Sequence, residues 1–313
     1  MNRKVKFSVR IHQSHYSFQD LRTIWTAADR LGYHSATLYD LLNAPALECW
    51  TTLSALAAVT ERIRLTPLVL ANTYRPPALL AKMASTLDVI SQGRLELGIG
   101  AGGGRGDHRA SGVPFPPTSE RVEMLEEAIE VIKKLWLEEG ATFHGRFYSL
   151  DGGSNEPKPV QRPHPPILIG GHGERHLFRV VAKYGDLCNI GFEMSVDEHK
   201  EKLGILEQHC ERVGRDFGEI EVTHNTRVLI AGSQAELERL VAKEAAVSNV
   251  STEDYRASVR GAVVGTPEQC AETIENYVSN GICYFFLLFP DPIDTESLEL
   301  FAREVMPRFT SSG

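Results

Sequence analysis

The 313-residue chain has no C-x-x-C pair, and its five cysteines are an odd number spread from Cys49 to Cys283. A disulfide framework or a zinc site needs closely spaced sulfurs, so reduced thiols are expected instead. Long apolar runs are also missing: none reaches the ~18 residues that span a bilayer. Positive charge is in the minority. With 33 Lys and Arg against 41 Asp and Glu, the net charge is −8. That balance argues against a nucleic-acid or anionic-membrane partner. The opening MNRKVKFSVRIHQSH has no unbroken apolar stretch, because Lys4, Lys6 and Arg10 interrupt it. A cytoplasmic protein without a signal peptide is the expectation. G-x-S-x-G, H-E-x-x-H and the Walker loop are absent. Hydrolase and kinase chemistry therefore have no support.

What the chain does have is a regular alternation. Short apolar runs at Val5–Ile11, Ala36–Tyr39, Ile63–Ala71, Arg94–Ile99, Ile167–Ile169, Leu187–Ile190, Ile220–Ile230 and Ile282–Phe289 read as strands. Each is followed by an amphipathic, helical stretch. In the first, Phe18–Leu31, Leu21, Trp25, Ala28 and Leu31 form one stripe, with Ser17 as N-cap and Gly32 as stop. Others are read at Trp50–Thr60, Ala78–Ile90, Ser119–Leu137, Arg175–Tyr184 and Val196–Val213. Continuously apolar strands alternating with helices predict a parallel sheet covered on its outer face. Eight such units predict an α/β fold of the (β/α)8 TIM-barrel type, one domain over residues 1–313. Insertions are expected after strands four (Gly102–Pro117) and seven (Ser248–Thr266). A hairpin and a Pro-rich tract are expected over Ala141–Pro166. Loops that follow strands lie at the C-terminal mouth, where barrel active sites sit.

The stretch LELGIGAGGGRGDHRASGVPFPP, Leu95–Pro117, contains a G-x-G-x-x-G match at Gly98, Gly100 and Gly103. A dinucleotide fingerprint needs a helix opening at the third glycine. No helical period is read before about Ser119, so the match is taken as accidental. The glycines are better explained by close approach of backbone to a flat ligand. A second cluster, ILIGGHGERHLFRVV, has the right context for an anion: a strand, then Gly170, Gly171 and Gly173, then a helix from about Glu174. Asn72 and Thr73 end the third strand, and Asp40 follows the second, each placed to meet a ligand at the mouth. His12 and His15 follow strand one, His108 sits in the glycine loop, and Glu193 lies past strand six. Each could serve as acid or base. No carboxylate cluster accompanies the histidines, so no metal site is expected.

Taken together, these segments resemble the luciferase-like oxidoreductases, a (β/α)8 superfamily. The resemblance runs through LECWTTLSALAAVTERIRLTPLVLANTYRPPALLAKMASTLDVISQGRLELGIGAGG, PFPPTSERVEMLEEAIEVIKKLW, FHGRFYSL, PKPVQRPHPPILIGGHGERHLFRVVAKYGD and HCERVGRD. The Arg-Pro-His-Pro-Pro-Ile and Gly-Gly-x-Gly-Glu run is most similar to the coenzyme F420-dependent branch. The resemblance implies a deazaflavin or flavin in the barrel mouth. Ala71, Asn72 and Thr73 would contact the ring, through a non-proline cis peptide in many members. Gly100, Ala101 and Gly102 would border the ring and side chain. Gly170, Gly171, His172 and Gly173 would hold the phosphate, and Asp40 matches an acidic position near the ring. Two departures stand out. Leu41 occupies a place where many F420-dependent members have His. Gly103 occupies the place of a catalytic Glu in the sugar-phosphate dehydrogenases, with Asp107 the nearest carboxylate. The acid or base stays open among His12, His15, His108 and Glu193.

The expected function is hydride transfer between F420 and a small, uncharged organic substrate. An FMN-dependent monooxygenase is the alternative, and a non-catalytic cofactor-binding barrel the second. A homodimer is expected by family analogy.

Overall fold

The computed structural model describes residues 4–310. Residues 1–3 and 311–313, which the expected single domain includes, lie outside the described residues. The strands are β1 (Lys6–Arg10), β2 (Ser35–Leu38), β3 (Arg64–Pro67), β4 (Leu70–Ala71), β5 (Leu97–Gly100), β6 (Ala141–His144), β7 (Ser149–Gly153), β8 (Ile167–Gly170), β9 (Leu187–Asn189), β10 (Glu221–Ile230), β11 (Val263–Gly265) and β12 (Tyr284–Leu288). The helices are α1 (Phe18–Leu31), α2 (Cys49–Ala57), α3 (Pro77–Ile90), α4 (Arg105–Ala110), α5 (Thr118–Leu137), α6 (Leu177–Tyr184), α7 (Val196–Val213), α8 (Gln234–Val247), α9 (Thr252–Ser258), α10 (Pro267–Val278), α11 (Thr295–Glu304) and α12 (Pro307–Thr310).

The main sheet runs β3-β2-β1-β12-β10-β9-β8-β5-β4. Every ladder along this path is parallel. Its two ends, β3 and β4, are halves of one stave, so the eight staves close into the (β/α)8 barrel that the alternation predicts. The third strand, read as one run to Ala71, is interrupted by a cis peptide between Leu68 and Val69. That peptide lies upstream of the 71–73 segment where the family resemblance places it.

Local chemistry sets the boundaries. Ser17 caps α1 through a reciprocal box with Asp20, and Gly32 ends it at φ 86°, a left-handed turn that suits glycine. Leu21 and Trp25 are fully buried on the barrel side. Pro77 opens α3 at its first turn, where its missing N–H costs nothing. Two of the expected insertions have structure of their own. The loop after β5 contains α4, which begins two residues past Gly103. The polar insertion after β10 is ordered too. It folds as α9 and as β11, which pairs in parallel with Val228–Ile230 of the long strand β10. The Ala141–Pro166 stretch forms the antiparallel hairpin β6–β7 as read. Among the described residues no helix is long and apolar enough to cross a membrane. Cys49, Cys188, Cys210 and Cys270 are buried free thiols, and Cys283 is buried too.

The barrel core is aromatic where β1, β12 and α11 meet: Phe7 stacks on Phe285 at 5.7 Å and meets Phe301 edge-on at 5.4 Å. At the N-terminal end of the strands the core also carries a buried polar cluster. Glu96 accepts from Thr66 (2.8 Å), Arg64 (2.9 Å) and the Tyr284 hydroxyl (2.9 Å). Burial works to raise the Glu96 carboxyl, but the hydrogen bond from His34, the charges of Arg64 and His34, and the Thr66 hydroxyl outweigh it and hold it at about 2.

Candidate active site at the barrel mouth

A cavity of about 560 Å³ opens at the C-terminal ends of the strands. That volume is in the range of small-molecule and cofactor sites. Of the residues the sequence singles out, Asp40, Ala71, Gly100, Ala101, Gly102, Gly170, Gly171, His172 and Gly173 line it. The fold thus brings together segments up to 133 residues apart in sequence, from Asp40 to Gly173.

The strand ends approach so closely that two glycines are obligatory. A Cβ on Gly170 would lie 2.8 Å from Val69 Cγ1, and one on Gly100 would lie 3.0 Å from Val69 Cγ2 and 2.8 Å from the Gly170 carbonyl oxygen. Val69, itself a cavity residue, therefore rests on both. At these two positions the space that glycine leaves is filled by the protein's own valine. Gly103, by contrast, has nothing within 4 Å of a Cβ and stays open.

Asp40 is committed to the neighbouring stave. Its carboxylate accepts from the Ala71 N–H (2.9 Å) and from both Arg75 terminal nitrogens (2.8 Å each). Arg75 also donates to Glu48 at 2.7 Å. Glu48 in turn caps α2 by accepting from the Trp50 and Thr51 amides. Asp40 thus fixes the backbone that forms the cavity floor.

Asn72 and Thr73 are not among the residues that line the cavity. Asn72 is buried, with Tyr148 as its side-chain neighbour. The Thr73 hydroxyl meets His108 Nε2 at 2.6 Å. Nδ1 of His108 lies 3.0 Å from the Gly104 carbonyl oxygen, which can only accept. Nδ1 therefore donates, and in the neutral ring Nε2 accepts from Thr73. His108 is fully buried between Tyr74 and Phe115. These contacts tie α4 to the end of the third stave.

Glu193 forms a two-pronged ion pair with Arg227 and does not line the cavity. His12 and His15 are exposed and line a neighbouring cavity of about 820 Å³, with Tyr16 and Asp291. His12 comes near the mouth through Tyr39, its ring 5.1 Å from that of this mouth residue, and His108 through Tyr74, another mouth residue, at 4.7 Å.

The phosphate-turn reading meets a geometry that differs in one respect. The helix expected from Glu174 begins at Leu177, because the Phe178 amide bonds back to the Gly173 carbonyl rather than to that of Glu174, which accepts from His209 instead. Glu174, whose charge would repel an anion, is drawn off to Lys202.

Sequence reasoning missed Arg10. It ends β1 and lines the cavity. Nε donates to the Tyr39 hydroxyl at 2.6 Å, and the guanidinium lies 4.7 Å from the Phe192 ring centroid. Nη1 is buried and has no hydrogen-bond partner among the described residues. A buried donor left unmet costs about 1–3 kcal/mol, so a ligand acceptor is favoured there. The signal was in the sequence: one arginine closes an otherwise apolar strand end. Asn189 and Asn225, a reciprocal amide pair at 3.0 and 3.1 Å, complete the wall.

The family model for luciferase-like monooxygenases matches residues 3–283. The chain belongs to that family. It is 30% identical over 287 residues to an F420-dependent glucose-6-phosphate dehydrogenase of Kineococcus radiotolerans, covering 85% of this chain and 83% of that one. It is 29% identical over 289 residues to an FMNH2-dependent dimethylsulfone monooxygenase of Pseudomonas putida, covering 83% and 78%. An uncharacterized protein of Mycobacterium tuberculosis is 37% identical over 182 residues; the match spans 58% of this chain and 62% of that protein's length. Among solved structures, the F420-dependent tetrahydromethanopterin reductase of Methanopyrus kandleri shares the fold at a TM-score of 0.81. Its identity is 18%, over 98% of this chain and 100% of that one.

Proposed function

We propose that this member of the family is an F420-dependent oxidoreductase acting on a small organic substrate. The observation that carries the proposal is the mouth cavity itself. It joins an anion-compatible glycine turn at one end to an unmatched arginine donor at the other. Gly170, Gly171, His172 and Gly173 would form the cofactor-phosphate turn, with the His172 and Gly173 amides as donors, since the Gly171 amide is given to the Asn189 carbonyl at 3.1 Å, and with Glu174 out of the way. Ala71, Gly100, Ala101 and Gly102 would border the ring, on a floor that Asp40 keeps rigid. When bound, the deazaflavin supplies a carbon that accepts or donates hydride. The chain's own residues orient both partners, and the cavity walls limit access of water.

Arg10 Nη1 would donate to an acceptor oxygen of an uncharged substrate. The Tyr39 hydroxyl, held by Arg10 Nε, is the exchangeable proton at the same wall, with His12 behind it. His15, His108 and Glu193 have no place in this scheme. The likeness to a dimethylsulfone monooxygenase favours FMN as the second reading. The cytoplasmic compartment and the homodimer belong to the same proposal; light scattering on the eluting protein tests the dimer.

Arg10→Met tests the reading. It should lower kcat/KM at least tenfold, about 1.4 kcal/mol, while leaving cofactor affinity within a factor of about two. Unchanged kcat/KM would remove Arg10 from the substrate site.

A further inference from the structure

The loop after β9 holds a large apolar side chain out of the core. Phe192 lines the mouth cavity and is 40% exposed. A lone exposed aromatic is ordinary; the backbone that presents this one is not. Gly191 stands at φ 66° and Glu193 at φ 53°, so the residues on both sides of Phe192 are left-handed. For a glutamate that conformation costs on the order of 1–3 kcal/mol, and it persists only where the surroundings over-determine it. Here they do. Asn225 Nδ2 donates to the Gly191 carbonyl at 2.7 Å, and the Asn225 carbonyl accepts from the Glu193 N–H at 2.7 Å. The Glu193 carboxylate is held by Arg227, whose Nη2 also donates to the Ser258 carbonyl at 2.7 Å. A strained loop is clamped from both sides, and what it displays is one exposed ring.

That ring lies beside the unmatched donor of the mouth. The Arg10 guanidinium is 4.7 Å from the Phe192 centroid and the Arg227 guanidinium 5.8 Å, both within cation–π range. Phe192 and Asn225 belong to the β9 and β10 staves, across the barrel from the stave that ends in Ala71. Leu41, Leu68, Val69 and Leu177, which share the cavity, are aliphatic. Among the aromatic residues that line it, Phe192 alone carries no polar atom. An oxygen accepted by Arg10 Nη1 at about 2.9 Å lets the carbon framework attached to it reach the Phe192 ring. A flat ring there gains from offset or edge-to-face packing beyond the area it buries.

We propose that Phe192 selects the substrate, and that the substrate is an aromatic or conjugated carbonyl compound: its oxygen meets Arg10 Nη1 and its ring packs on Phe192. The inference rests on the reading of Arg10 as the substrate's donor, and it adds the chemical class that this donor serves.

Calorimetric titration of the cofactor-loaded protein with two ketones of one carbon skeleton tests it. One is acetophenone; the other is cyclohexyl methyl ketone, in which the ring is saturated. Acetophenone should bind roughly fivefold tighter, as a single aromatic pair allows. In Phe192→Leu, which keeps an apolar side chain at this half-exposed position, the ratio should fall to about one. Phe192→Tyr keeps the ring and should retain most of the preference. Arg10→Met should weaken both ketones. Equal affinity of the two ketones in the unaltered protein, a full preference persisting in Phe192→Leu, or binding of neither ketone would overturn the assignment while the F420 reading stands. Retention of FMN in place of F420 would overturn the cofactor reading instead, and the ketone ratio measured on the FMN-loaded protein would still decide the role of Phe192.

Discussion

Arg75 grips Asp40 through two parallel hydrogen bonds of 2.8 Å, with the Asp40 side chain 2% exposed and that of Arg75 11%. The pair ties the loop after β2 to the stave formed by β3 and β4, and the Ala71 amide completes it. Removing one partner of a buried pair leaves the other charge unmet, at a cost of about 3–5 kcal/mol. Asp40→Asn should therefore lower urea-unfolding stability by that order, and weaken cofactor binding because Ala71 loses its anchor. Asp40→Asn with full stability and altered ligand binding alone would make Asp40 a ligand residue instead.

Gly170→Ala places a methyl 2.8 Å from Val69 Cγ1. Overpacking of this kind costs about 1–3 kcal/mol. If Val69 is the cause, Val69→Ala in the same chain should relieve it. The double variant should then be at least about 1 kcal/mol more stable than the sum of the single effects. Additive effects in a denaturation cycle would show that Val69 is not the clashing group.

These relationships show what could be read from sequence. The caps at Ser17 and Gly32 and the stripe of Leu21 and Trp25 are local, so α1 was legible to the residue. So were the eight staves, since each carries its own apolar run. The cis peptide that the resemblance implies near Ala71–Thr73 sits instead at Leu68–Val69, where the close neighbours Gly100 and Gly170 come from distant strands and leave no local signal. Asp40 reads from sequence as a ligand-facing residue, and His108 and Glu193 as candidate acids or bases. Their roles depend on Arg75, Thr73 and Arg227, which periodicity does not pair with them. Helix α6 started late because of hydrogen bonds to a glycine carbonyl, for which side-chain pattern gives no signal. Arg10 was visible and passed over, since a strand-end arginine has many ordinary uses.

The buried pair His199–His224, 3.0 Å apart, should make stability acid-sensitive. Burial pushes His199 down from 6.5 to about 4; burial and the neighbouring His199 push His224 down to about 3. The unfolded chain therefore takes up protons first as pH falls below 6.5, and stability drops from there. Glu96, ordinarily 4.5 and held at about 2, adds its own loss only below 4.5. Thermal unfolding followed from pH about 7.5 to 4.5 should show a falling Tm. In the His199→Gln/His224→Gln variant that slope should flatten. An unchanged slope would place the acid sensitivity elsewhere.

Cofactor choice is the central claim, and parallel titration of the purified protein with F420 and FMN tests it most directly. The account predicts saturable, micromolar binding of F420, as is usual for small ligands, with FMN bound more weakly and no oxygen consumed. Tight retention of FMN with oxygen consumption, and no binding of F420, would contradict it.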